Sequence, residues 1–170
     1  MTKSIFASQP LPQSFRTHVY EISFTLPISQ TESFEWLLKK KTFSSGQLPP
    51  YKVEFLPENK DPLMKEGDYT NHHGPWIQFA GVMTKISSEY RRLDYLYGSY
   101  ALTFRLIRPL CLEVWTHDLG SNKSKVTLKL TTGVRNFFVP IWNLLMNFFW
   151  PQFALNAKIL WFFKNLISKS

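Results

Sequence analysis

From His18 to Leu26 apolar and polar positions alternate, with Tyr20, Ile22, Phe24 and Leu26 on one side and Val19, Glu21, Ser23 and Thr25 on the other. A period of two predicts a half-buried strand, and Pro27 ends it. Ser29 or Thr31 then suits a helix cap, Glu32 and Glu35 suit the first turns, and Lys39 to Lys41 complement the negative C-terminal end. Phe34, Leu37 and Leu38 give that short helix one apolar face, with Trp36 beside it. Tyr51–Leu56 predicts a strand, residues 57–68 a loop, and Trp76–Ile86 a further strand. Alternation also predicts strands at Tyr97–Ile107, Leu110–His117 and Lys125–Thr132. Pro109 marks the turn between the first two, and Leu119–Lys123 a hairpin turn between the last two. Gly133 closes the sheet region, and a long helix follows over about 136–168, with Asn136 as cap and Pro140 in its first turn. Strands in series with helices at either end indicate an α+β protein.

The final helix carries the least ordinary pattern. From Asn136 to Ala157, 22 residues pass without a charged side chain: NFFVPIWNLLMNFFWPQFALNA. A membrane span needs about 20 mostly apolar residues, so the length fits. The contents argue otherwise. Asn136, Asn143, Asn147, Gln152 and Asn156 place five amides in the window, each costly in hydrocarbon without a partner. At about 100° per residue, Asn136, Asn143 and Asn147 fall within roughly 40° of one another and leave a broad apolar face. Gln152 and Asn156 project to nearly the opposite side, so either Pro151 kinks the helix and resets its phase, or the two amides meet something polar inside. The reading adopted is a helix that covers the sheet; insertion into a membrane stands as the alternative.

Composition changes the picture in three ways. At 170 residues the chain is expected to form a flexible N-terminal arm over 1–17 and one domain over 18–170. A single cysteine, Cys111, rules out an intramolecular disulfide and fits a reducing compartment, so a cytoplasmic location is expected, either free or peripheral to a membrane. Fifteen Phe, seven Tyr and six Trp exceed what a small core needs and suit a wall that accepts an apolar guest. The net charge of +8 is spread along the chain without zinc-finger spacing or an RNP-like aromatic motif. Nucleic acid is therefore not an expected partner; transient contact with an anionic membrane surface fits the charge better.

The opening strand and helix (HVYEISFTLPISQTESFEWLL), the late strand series (EYRRLDYLYGSYALTFRLIRPLCLEVWTHDLGSNKSKVTLKLTTGV) and the aromatic-rich closing helix resemble, as a pattern, the START-like or SRPBCC superfamily. That superfamily includes polyketide cyclase-like and lipid-transfer-like proteins. The resemblance implies a helix-grip fold: a curved antiparallel sheet of about six to seven strands wrapped around a long C-terminal helix, with an apolar cavity between. It implies binding or transport of a hydrophobic small molecule or lipid. Strand positions Tyr20, Ile22, Phe24, Phe79, Tyr100, Leu102, Phe104, Leu112, Val114, Leu128 and Leu130 would line the cavity, with Trp142, Leu145, Met146, Phe149, Gln152, Phe153 and Asn156 from the helix.

Catalytic chemistry is sparse. There is no GxxxxGK phosphate loop and no GxSxG nucleophile elbow. His72-His73-Gly74-Pro75 reads as a turn without a third metal ligand at suitable spacing, so neither metal nor cofactor is expected. His117-Asp118 sits at a strand end, where neighbouring side chains diverge, and Cys111 falls on the outer face with Glu113. Arg91, Arg92 and Asp94 precede Tyr95 and Tyr97, either as a solvated hairpin end or as a polar portal for a ligand carboxylate or phosphate. A cyclase or dehydratase acting on an aromatic or polyketide-like substrate remains the enzymatic alternative. It requires an inward acid–base pair that the pattern does not supply.

Overall fold

The alternating segments pair into one antiparallel sheet. The computed structural model describes residues 11–44, 52–56, 61–102 and 106–167, and the side chains of the last helix as far as residue 159. Its strands are β1 (Phe15–Leu26), β2 (Lys52–Leu56), β3 (Tyr69–Gly74), β4 (Ile77–Ile86), β5 (Tyr90–Tyr95), β6 (Tyr100–Ala101), β7 (Ile107–Gly120) and β8 (Lys123–Arg135). Two short helices, α1 (Gln30–Leu38) and α2 (Lys40–Ser44), follow β1, and a 3-10 turn at Asn136–Phe138 leads into α3 (Val139–Ile167). The strand order is β1-β8-β7-β5-β4-β3-β2, with β6 pairing β4 and β7. The result is an α+β helix-grip fold, with eight strands among the described residues instead of the expected six or seven.

Local chemistry accounts for most boundaries. Ser29 is the cap of α1 and forms a complete capping box with Glu32: each side chain meets the other's backbone N–H at 3.3 Å. The β7–β8 hairpin turns through Ser121 and Asn122, both at positive φ (50° and 54°), the backbone twist that a two-residue turn between long strands requires. Gly133 does not end the sheet, because β8 runs on to Arg135. A side chain at Gly133 would collide with Leu11, since a Cβ there would lie 2.5 Å from a Leu11 methyl.

Two strands were concealed by polar residues. His72 and His73 lie in β3, not in a turn; the turn is at Pro75 and Trp76, where Trp76 takes a φ of 67°. Arg91, Arg92 and Asp94 belong to β5, not to a hairpin end. The expected strand Tyr97–Ile107 is reduced to Tyr100–Ala101; Leu102 takes a φ of 64°, and residues 103–105 lie outside the described residues. Pro109 is inside β7, beside a bulge between Pro109 and Cys111 that takes up the irregularity a proline imposes. A second bulge, between Met83 and Lys85 of β4, shifts the pairing with β5.

The inner face of the sheet carries the core. Leu26, Met83, Val114 and Val126 are fully buried there, and α1 covers one end with Phe34 and Leu37. The other cover, α3, packs chiefly on β1 and β8. Its buried positions are Val139, Trp142, Met146, Ala154 and Ala157, and the small alanines allow close approach. This sheet-facing line continues across Pro151, which lies inside the helix. No helix among the described residues is long and apolar enough to cross a membrane.

Candidate functional site

Because α3 packs chiefly over β1 and β8, the inner faces of β3, β4 and β5 lie beyond its main contact. Cross-strand register places His72 opposite Phe79, Thr70 opposite Gly81, Gly81 opposite Tyr95, and Arg91 between Ile86 and Val114, all on that face. The rings join them: Phe79 meets Tyr95 edge to face at 5.8 Å, and His72 lies 6.3 Å from Phe79. On the helix side Phe153 gathers Phe24, Trp36, Phe43 and Trp150 at 5.9–6.4 Å between centroids.

Arg91 is the anomaly of this surface. It is 2% exposed, the largest side chain in the fully buried set. Its guanidinium lies over the Phe43 ring at 4.8 Å, and Nη1 reaches only the Met64 sulfur at 4.0 Å. Nε and Nη2 are buried without a hydrogen-bond partner among the described residues. Burial lowers its pKa to about 10, which still leaves it charged at neutral pH. The buried carboxylate Asp68 pairs with Lys40 at 3.2 Å and accepts the Lys65 backbone N–H at 3.0 Å. Two other polar atoms on the inner side, Thr70 Oγ1 and Trp150 Nε1, are also buried without partners.

Arg91 shapes its neighbours. Burial pushes the His72 pKa down to about 4, and the charges of Arg91 and His73 push the same way, so His72 is neutral at physiological pH. Burial raises the Tyr95 phenol well above its ordinary value, against the opposing pull of Arg91. The site is thus apolar and aromatic, with one positive charge, a neutral imidazole and a protonated phenol.

The expected lining residues divide into groups. Phe24, Leu112, Val114, Leu128, Trp142 and Met146 are inward and buried as core. Tyr20, Ile22, Phe79, Leu130 and Phe153 are only partly buried and pack at the edges of the two core clusters. Leu102 packs on the second cluster and Tyr100 is partly buried, while Phe104 lies outside the described residues. Leu145, Phe149, Gln152 and Asn156 are exposed on α3, which corrects their assignment to the interior. At about 100° per residue they flank, on one side, the face set by Trp142, Met146, Phe153 and Ala157, and the two amides are exposed there. His117 and Asp118 are exposed at the end of β7, where Asp118 accepts the Gly120 N–H at 2.9 Å. Cys111 is buried on the outer face, and its thiol is raised by burial first.

Arg91 was expected only as a solvated hairpin end or as part of a polar portal with Arg92 and Asp94, and His72, Thr70, Tyr95 and Trp150 were absent from the expected lining. The available signal was the alternation of Arg91, Leu93 and Tyr95 against Tyr90, Arg92 and Asp94, which becomes visible once an inward arginine is allowed.

The fold and this face together define a helix-grip protein with a charged interior. No protein-family model and no curated protein matches the chain. Solved structures do. A point mutant of norcoclaurine synthase from Thalictrum flavum, in complex with a transition state analogue, is 16% identical. The match covers 94% of this chain and 100% of that one, with a TM-score of 0.59. An uncharacterised protein from Rhizobium leguminosarum is 9% identical over 87% of this chain and 95% of its own, with a TM-score of 0.58. A protein from Arthrobacter aurescens is 12% identical over 83% and 81%, with a TM-score of 0.52. At such identities the likeness establishes the fold alone.

Proposed function

We propose that this chain is a START-like binding protein that holds a hydrophobic small molecule or lipid between the sheet and α3. The observation that carries this is the unfinished burial of the inner face. Ile22, Phe55, Phe79, Leu130, Trp150 and Phe153 are apolar and turned toward the core, yet each keeps accessible surface. Covering such area with a guest contributes about 25 cal/mol per Å² before the costs of binding are subtracted. Aromatic walls supply that area with little loss of rotamer freedom. The fold shared with a norcoclaurine synthase, also solved with dopamine and hydroxybenzaldehyde, agrees with an interior able to take ring-shaped guests. Native mass spectrometry after gentle extraction, followed by titration of the stripped protein with a fluorescent apolar probe, tests the reading. Co-purified ligand or saturable probe uptake is expected; neither would sink it.

Contact with an anionic bilayer is a second role, favoured by the outer side of α3. Phe137, Ile141, Leu144, Phe148, Leu155 and Ile159 form an exposed apolar stripe at helical spacing, with Phe137, Leu144 and Phe148 about 70% exposed. Patches of this kind on monomeric proteins mark interaction surfaces. Exposed Lys158 adjoins it, in a chain of net charge +8. We infer a helix that rests on the membrane surface while cargo is exchanged. Phe148→Glu is expected to abolish co-sedimentation with phosphatidylserine vesicles while leaving probe uptake intact; unchanged sedimentation would refute the contact.

The enzymatic alternative finds little in this geometry. His72 faces inward, but none of its described contacts is a second titratable group within hydrogen-bond reach.

A further inference from the structure

We propose that the guest is an anionic amphiphile whose carboxylate or phosphate pairs with Arg91 while its apolar chain lies against the aromatic inner face. This rests on the reading that the interior takes an apolar guest, and it names that guest's class.

The argument is one of unbalanced charge. An arginine taken out of water costs several kcal/mol unless an anion and hydrogen bonds compensate. Buried charges in proteins are therefore paired. Arg91 has no carboxylate against it, and two of its donor atoms are unspent. The Phe43 ring and the Met64 thioether are weak substitutes that orient the guanidinium without neutralising it. Asp68 is paired with Lys40, and Asp94 and Glu113 are turned to the outer face, where they pair with Arg92. Among the described residues no carboxylate pairs with Arg91. A guanidinium fork with Nε and an Nη free matches the two oxygens of a carboxylate or phosphate. The surroundings select the rest of the ligand, because Phe43 links Arg91 to the Phe153 cluster at 6.3 Å and provides an apolar path away from the charge.

The test compares dodecanoate, dodecyl phosphate, dodecanol and inorganic phosphate by calorimetry on ligand-stripped protein. Wild type is expected to hold the two charged alkyl probes about tenfold or more tighter than dodecanol, the scale of a charge-assisted hydrogen-bonded pair. Arg91→Met should erase that preference and leave dodecanol affinity unchanged. Met64→Glu sets a carboxylate beside Nη1 and should erase it too, so the outcome does not hang on one variant folding. Equal affinity of wild type for dodecanoate and dodecanol, or a preference that survives both substitutions, overturns the head-group assignment while leaving the apolar reading intact. Inorganic phosphate binding as tightly as dodecyl phosphate overturns the amphiphile. Failure of all three alkyl probes removes the apolar reading itself.

Discussion

Arg91 and Arg92 are adjacent in β5 and point to opposite faces of one sheet, yet they live under opposite rules. Outside, Arg92 forks onto Asp94 at 2.8–3.0 Å, and its Nη1 lies 3.5 Å from Glu113. Glu113 also accepts from the Tyr90 hydroxyl at 2.8 Å and lies 3.6 Å from Lys129. Bonding to Asp94 raises the Arg92 pKa, while burial and the bond to Glu113 push Tyr90 up to about 12. That network is closed, and each member answers another. Inside, Arg91 answers nothing within the described chain. The outer arginine belongs to the architecture; the inner one is a buried charge to which no described residue supplies an anion.

The sharpest way to break this contrast is to compare the stability of Arg91→Met and Arg92→Met in ligand-stripped protein by chemical denaturation. The two should have opposite signs. Removing the inner charge is expected to stabilise by about 1–4 kcal/mol, as replacing buried ions with apolar side chains often does. Removing the outer one takes the cation from Asp94, while Glu113 keeps Tyr90 and Lys129, in a part-exposed, screened network, so a loss of about 1 kcal/mol is expected. Destabilisation of similar size by both would show that Arg91 is a structural residue after all.

Protonation gives a second, smaller test. The folded-state pKa of His72, about 4, lies below the ordinary value of 6.5, so the unfolded chain takes up the proton first as pH falls. Stability should therefore decline between about pH 6.5 and pH 4 through this group, and the decline should be shallower in His72→Gln. Parallel denaturation midpoints for the two proteins across that range would refute the inward, desolvated imidazole. The smallest effect belongs to the outer face. Thr84→Val removes the hydroxyl that lies 2.5 Å from the Asp94 carboxylate, a net loss of about 1 kcal/mol with no change in probe binding.

What the sequence revealed, and what it hid, follows the same division. The strands whose inner face is conventional, β1, β7 and β8, show clean alternation, and Ser29 with Glu32 announces α1. The strands β3 and β5 were hidden because Thr70, His72 and Arg91 occupy positions where a plain core strand would carry aliphatic residues, so the period of two read as turn or hairpin end. The lining was only partly legible for a related reason. On α3 both the sheet-facing side and the outer stripe are apolar, so hydrophobicity could not separate Met146 from Phe149; only contact with the sheet does. Trp150, flanked by large apolar neighbours, was overlooked for the same cause.

The bulge between Met83 and Lys85 gives the inner charge an unusual genetic fragility. It sets the pairing between β4 and β5, and since side chains alternate every residue, a one-residue slip of β5 would exchange its two faces. Arg92 would then turn inward and Asp94 with it, so the interior would still hold a guanidinium but with its own acid beside it. A single inserted or deleted codon near the bulge would thus retire the proposed anion site while keeping both arginines. Among descendants of this chain, the length of that segment, more than the identity of any one residue in it, would record whether an unpaired guanidinium still faces the interior.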